Sequence, residues 1–228
     1  HEKSGAKATV LTAIAPDPTS YGRIIRDEDG SVLKIVEEKD ANEEERLVKE
    51  INTGTYCFDN RVLFEKLKLV DNDNAQGEYY LPDVIEILQS EHELVSAYTL
   101  EDFDEALGVN TRVALAEAEQ LMKKRINKQH MLNGVSFIDP NNTYVEPDVE
   151  IGCDTVIEPN VYLKGNTKIA SHVFIGMGSE IIDSTIEEHA EIKQSVIDQS
   201  TIGEKVTVGP FAQLRPGADL GHKVKVGN

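Results

Sequence analysis

Tryptophan is absent, cysteine occurs only at Cys57 and Cys153, aromatics make up 6% of the chain, and 23 basic side chains face 41 acidic ones. Each shortage excludes something. The two cysteines lie in unlike segments and form no CxxC pair, which excludes a disulfide framework or zinc knuckle and assigns both as small packing residues. A formal charge of −18 repels a phosphate backbone, and no Lys/Arg cluster offers a footprint for one, so nucleic acid is not an expected partner. No apolar run approaches the ~18 residues that cross a bilayer, and the opening ten residues have neither a basic nor an apolar leader region. A cytoplasmic protein with no membrane span is the expectation, and the sequon Asn141-Asn142-Thr143 is expected to be idle there. The chain opens on His1 rather than Met and ends on Val226-Gly227-Asn228 inside a repeat, which predicts a piece of a longer protein.

What is present divides into three zones. Residues 1 to about 110 alternate short β-branched runs with helical patterns, as α/β layers do. Strands are predicted at Ala8–Ile14, Arg23–Ile25, Val32–Glu37, Thr53–Phe58 and Leu94–Leu100, and helices at Glu43–Val48, Arg61–Leu69 and Leu81–Glu91. Pro82 falls in the first turn of the last helix, where a missing N–H costs least. From Thr111 to about Gln129 there is no Gly or Pro, and Val113, Leu115, Ala116, Leu121, Met122 and Ile126 lie among charges. That predicts one long amphipathic helix acting as a rigid connector.

The third zone is decided by its repeats. Aliphatic residues recur six apart from Val145 through Ile151, Ile157, Leu163, Ile169 and Ile175 to Ile181, and again from Ile202 through Val208, Leu214 and Leu220 to Val226. Ile186, Ile192 and Ile197 join the two series with single-residue slips. Two positions before each stands a small or β-branched residue, such as Thr143, Thr155, Thr167, Ser179, Ser184, Ser195 or Ser200. A helix of period 3.6 would carry such positions to different faces. A triangular solenoid of parallel strands keeps them inside, and about five coils would stand roughly 24 Å tall. Its open end is expected to fray or aggregate unless more coils follow.

Within the first zone, polar residues gather at strand ends, where α/β sheets commonly bind ligands. Tyr21-Gly22-Arg23-Ile24 follows a Pro-rich turn, Glu37-Glu38-Lys39-Asp40 ends a strand, and Glu50-Ile51-Asn52-Thr53-Gly54 starts another. Asn74 to Tyr80 forms a loop before a helix, and Leu107-Gly108-Val109-Asn110 precedes the long helix. Taken singly, each residue has an ordinary reading as a turn, cap or solvated charge. Taken in order, and followed by Met131-Leu132-Asn133-Gly134, hexapeptides and Phe211-Ala212-Gln213-Leu214-Arg215-Pro216-Gly217, the chain closely resembles the bifunctional bacterial family that makes UDP-N-acetylglucosamine. In that family N-acetylglucosamine-1-phosphate uridylyltransferase is fused to glucosamine-1-phosphate N-acetyltransferase.

The resemblance implies an α/β nucleotidyltransferase (Rossmann-like) partial domain over 1–112, a linker helix over 113–133 and the first coils of a left-handed parallel β-helix over 134–228. Left-handedness here runs against the usual right-handed crossover. It also implies that Gly22 offers backbone hydrogen bonds to the sugar nucleotide, Glu37 accepts from sugar hydroxyls, Asn52 fixes the N-acetylhexosamine, and Asn110 meets the nucleotide and ligates Mg²⁺ by its amide oxygen. Arg215 would bind the sugar phosphate acceptor of the second reaction. The implied substrates are glucosamine 1-phosphate, acetyl-CoA, N-acetylglucosamine 1-phosphate and UTP, with UDP-N-acetylglucosamine as product and a homotrimer as the assembly. No GxG-type loop occurs in residues 1–110. The resemblance implies that the family's Gly-rich nucleotide loop, its basic catalytic residue and the Asp that shares the metal lie ahead of His1, and the catalytic His and acetyl-CoA groove beyond Asn228. This piece alone is expected to catalyse neither step. Other readings stay open: another sugar-1-phosphate nucleotidyltransferase with a β-helix tail, a passive solenoid, or a γ-carbonic-anhydrase-like zinc enzyme. The last requires converging histidines, and His172, His189 and His222 show no close pair in the sequence.

Overall fold

The computed structural model describes residues 1–227. The chain divides into two compact units, His1–Ala114 and the remainder from Leu115 onward.

The first unit is built on a five-stranded mixed sheet. In chain order its elements are β1 (Ala8–Ile14), β2 (Arg23–Arg26), β3 (Val32–Val36), α1 (Glu43–Arg46), β4 (Glu50–Phe58), α2 (Asn60–Lys66), α3 (Asp83–Ser90) and β5 (Val95–Leu100). The strands lie in the order β3-β2-β4-β1-β5, with only β1 and β5 parallel. Ala8, Val10, Ile24, Val32, Ile35 and Val95 form one core with Val84, Ile85 and Leu88 of α3. These three α3 residues follow helical spacing, which is why the helix lays one stripe on the sheet. Strand β4 begins three residues earlier than its β-branched content suggests, because Glu50, Ile51 and Asn52 pair with Ile14, Ala13 and Thr12. Between Asn52 and Tyr56 the pairing with β1 is interrupted by an irregularity. Gly54 sits there at φ +76°, and the Thr53 hydroxyl donates to the Leu11 carbonyl at 2.8 Å.

The boundary between the units falls in the first turn of α4 (Arg112–Leu132), and most of this helix belongs to the second unit. Val113, Leu115 and Met122 on this helix are exposed, and the residues it buries are Lys123 and Asn127. Its apolar residues are thus not its main buried face. Asn127 donates through Nδ2 to the carbonyls of Pro140 (2.8 Å) and Thr143 (3.0 Å), and Lys123 donates to the Asn141 carbonyl. The helix therefore caps the polar entrance of the solenoid, with Ile126 reaching its core.

Beyond it stand three parallel sheets of five, five and six strands. Ser136–Phe137 pairs with Val156–Ile157 and opens the stack. Leu163 sits between Val145 and Ile181, Ile169 between Ile151 and Ile186, and Ile175 between Ile157 and Ile192. The single-residue slips fall in the middle coils, where Ile181 pairs with Ile197 and Ile186 with Ile202. They shorten the turns without moving an aliphatic side chain off the axis. The small residues beside them bury their hydroxyls against backbone. Thr155 donates to Ala170 O at 2.9 Å, Ser184 to Ile182 O at 2.7 Å, and Ser195 to Lys193 O at 2.6 Å. Corners pass through left-handed backbone, and at one of them His172 and His189 adopt φ +60° and stack with centroids 5.2 Å apart. The solenoid matches a left-handed β-helix.

Candidate functional site

Gly22, just before β2, Glu37, just after β3, and Asn52, the third residue of β4, come together. A Cβ placed on Gly22 would lie 3.1 Å from Glu37 Oε1 and 3.5 Å from Asn52 Cβ. Gly22 is buried there, and a side chain at this position would press on the Glu37 carboxylate. Its carbonyl accepts from the Asn52 N–H at 2.8 Å, and Asn52 Oδ1 accepts from the Gly54 N–H at 3.0 Å.

Arg23 locks this corner from beneath. It is 2% exposed, donates through Nη2 to Glu38 Oε2 at 2.6 Å and through Nη1 to the Tyr21 carbonyl. The start of β2 and the end of β3 are thereby tied together. Tyr21 leads onward, because its hydroxyl accepts from the Gly108 N–H at 3.3 Å. Asn110 follows, with its Nδ2 3.8 Å from the position a Gly108 Cβ would take. The loop 107–110 is thus brought to the Tyr21–Gly22 turn. Arg215 lies in the other unit, exposed at the turn after Gln213–Leu214, its carbonyl accepting from the Ser200 hydroxyl at 3.1 Å.

Burial, then Asp40 and Asp83, push the Glu37 carboxyl above its ordinary range. Asp83 is raised as well, by burial and then by Glu86, Asp71 and Asp40. These acids line a cleft of about 460 Å³ together with Asn74 and Tyr80. Such a cleft repels phosphate and suits neutral hydroxyl donors. The loop at its rim is held by Asp40, whose Oδ1 accepts from the Ala75 N–H at 2.7 Å. Glu50 differs from Glu37. Burial raises it, but hydrogen bonds from Arg26 and Thr12 outweigh that, and its carboxyl is held below the usual range.

Two features of this site escaped sequence reasoning. Arg23 was visible only as part of Tyr21-Gly22-Arg23-Ile24, and its clamp on Glu38 depends on strand pairing. Tyr56 was not singled out at all. It is brought near Asn52 by the irregular stretch of β4, for which Gly54 inside a strand pattern was the available signal.

Asn110 offers one hard oxygen suited to Mg²⁺. Among the described residues no group of three or more His, Cys, Asp or Glu side chains is arranged to hold a metal ion. His172 and His189 do form a close pair, contrary to the sequence reading, because residues distant in sequence stack at a shared corner. Their ring planes are only 7° apart, an arrangement that does not converge lone pairs on one ion.

The nucleotidyl transferase family model matches residues 1–132, and the model of the GMPPB C-terminal domain matches residues 139–228. The protein called bifunctional protein GlmU from Bacillus velezensis is 62% identical over 216 residues, covering 95% of this chain and 47% of that protein. Proteins of the same name from Listeria welshimeri and Latilactobacillus sakei are each 57% identical over 228 residues, covering 100% of this chain and 50% and 49% of theirs. The chain spans about half the length of these curated relatives. On the match over its first 132 residues, the chain belongs to the nucleotidyl transferase family, in the company of the bifunctional GlmU proteins.

Proposed function

We propose that the parent protein forms UDP-N-acetylglucosamine, by acetyl transfer from acetyl-CoA to glucosamine 1-phosphate and uridylyl transfer from UTP to the acetylated product. The observation that supports this most directly is the convergence of Gly22, Glu37 and Asn52, in a chain 57–62% identical to bifunctional GlmU proteins. In this reading residues 1–112 belong to the uridylyltransferase domain, 113–133 to the linker, and 134–228 to the acetyltransferase coils. The Gly22 backbone and the Asn52 carboxamide hold the N-acetylated sugar, and Glu37 accepts from its hydroxyls. The acidic cleft beside Glu37 turns the phosphate away. Mg²⁺, when bound, neutralises charge on the phosphates, and Asn110 contributes one oxygen to it. Arg215, on the outer surface of the solenoid, pairs with the phosphate of glucosamine 1-phosphate. The coils associate as a homotrimer.

The test uses the full-length parent. Asn110→Ala lowers Mg²⁺-dependent pyrophosphate release and leaves acetyl transfer intact, whereas Arg215→Ala does the reverse. Loss of both activities from either substitution would refute the assignment of roles. This chain by itself releases no measurable pyrophosphate from UTP and N-acetylglucosamine 1-phosphate. Sedimentation of the parent as a monomer at micromolar concentration would exclude the trimer.

A further inference from the structure

Tyr56 lies beside Asn52 of the proposed sugar site, and nothing in the roles assigned so far uses it. Its ring stacks on Phe58 at 5.5 Å and packs against the apolar core of the first unit. Its hydroxyl is buried and has no hydrogen-bond partner. Leaving a buried hydroxyl unpaired is unfavourable, and a phenylalanine would fill the same space without that cost. The surroundings say what the hydroxyl faces. Regular pairing of β4 stops after Asn52 and resumes at Tyr56, with Gly54 in left-handed backbone between them. This local distortion carries the phenol toward the Asn52 carboxamide, which approaches it without completing a hydrogen bond. Asn52 Oδ1 is already committed to the Gly54 N–H at 3.0 Å. The amide nitrogen is therefore the end left to face the phenol. Burial pushes the phenol up to about 12, opposed by Asn52 and assisted by Glu37, so the hydroxyl keeps its proton at neutral pH.

We infer that Tyr56 is a positioning residue for sugar selection: its hydroxyl receives one Nδ2–H of Asn52 and so aims the other at the carbonyl oxygen of an N-acyl group on the bound sugar 1-phosphate. A free 2-ammonium group offers that N–H no acceptor, so the arrangement favours the acylated sugar. This inference rests on the sugar-site reading above and deepens it. Apo catalytic and binding hydrogen bonds are commonly long and close on ligand binding, which accounts for the unpaired phenol.

The experiment is a protein-observed NMR titration of this chain, up to millimolar ligand, with N-acetylglucosamine 1-phosphate and separately with glucosamine 1-phosphate. The unaltered chain binds the acetylated sugar more tightly, with shifts around Gly22, Glu37 and Asn52. Tyr56→Phe reduces the ratio of the two dissociation constants by roughly tenfold, through weaker binding of the acetylated sugar. Phe58→Leu, which disturbs packing on the same ring without touching the hydroxyl, leaves the ratio unchanged. An unchanged ratio in Tyr56→Phe, or an equal fall in both variants, overturns the role of Tyr56 while the sugar site stands. No shifts at these residues with either sugar in the unaltered chain overturns the sugar-site reading and the role of Tyr56 with it.

Discussion

The carboxyl of Glu37 is raised in the folded chain by burial and by the neighbouring Asp40 and Asp83. For an acid the sign follows directly. The unfolded carboxyl ionises first as pH rises, so Glu37 lowers stability above its folded-state pKa and ceases to do so once it is neutral in both states. Glu37→Gln is expected to raise the urea midpoint at pH 7, with the gain vanishing below about pH 4. The same variant loses affinity for N-acetylglucosamine 1-phosphate in titration, which separates a ligand-binding carboxylate from a merely tolerated one. Glu50 shows the opposite balance. Arg26 chelates it through Nε at 2.7 Å and Nη2 at 2.6 Å, and Thr12 donates at 2.7 Å. Its depressed pKa gives stability present above the unfolded-state pKa and lost as pH falls through the folded one. Glu50→Gln therefore destabilises at pH 7 by about 1–3 kcal/mol, from the hydrogen bonds to charge that it weakens. That loss shrinks toward zero under acid, as urea melts at two pH values would read.

At the scale of elements, α4 and the coils are held by different physics. The helix is anchored by Asn127, 1% exposed, on two carbonyls of the segment that opens the solenoid. Asn127→Ala leaves those carbonyls without their side-chain donor and is expected to cost about 1–3 kcal/mol, read as a lower denaturation midpoint of the second unit. The coils are held by their axial column. Ile181 is fully buried between Leu163 and Ile197, and Ile181→Ala is expected to cost about 2–5 kcal/mol through lost burial and the cavity left behind. Cross-coil ion pairs such as Lys168 to Glu150 at 2.8 Å are exposed, and removing one is expected to change stability by less than about 1 kcal/mol. These contrasts follow from where water is excluded. The six-residue period was legible because every sixth side chain enters one dry column. The anchoring of α4 was not, because Val113, Leu115 and Met122 suggested an apolar face and are exposed, while Lys123 and Asn127 read as surface polar residues and are buried.

At the scale of the whole molecule, the chain joins a mixed sheet rich in long-range pairing to a solenoid in which each coil touches mainly its neighbours. No helix among the described residues is long and apolar enough to cross a membrane. Much of this organisation was legible beforehand: the predicted strand Ala8–Ile14 matches β1, Pro82 stands at the start of α3, and the aliphatic residues of period six occupy the solenoid axis. Periodicity is a local property, written by which side chains avoid water at each step, so the amino-acid order by itself determined the two architectures and their order along the chain. The polar positions Gly22, Glu37, Asn52 and Asn110 were also visible, but only as separate strand-end and loop residues. What joins them is strand pairing: β2 lies between β3 and β4, so Gly22 meets Glu37 on one side and Asn52 on the other. The same pairing gave His172 and His189 their contact, and the distortion of β4 brought Tyr56 to Asn52. Those proximities depend on which distant segments share a sheet or a corner. That is a property of the packed chain, so only the tertiary structure decided them.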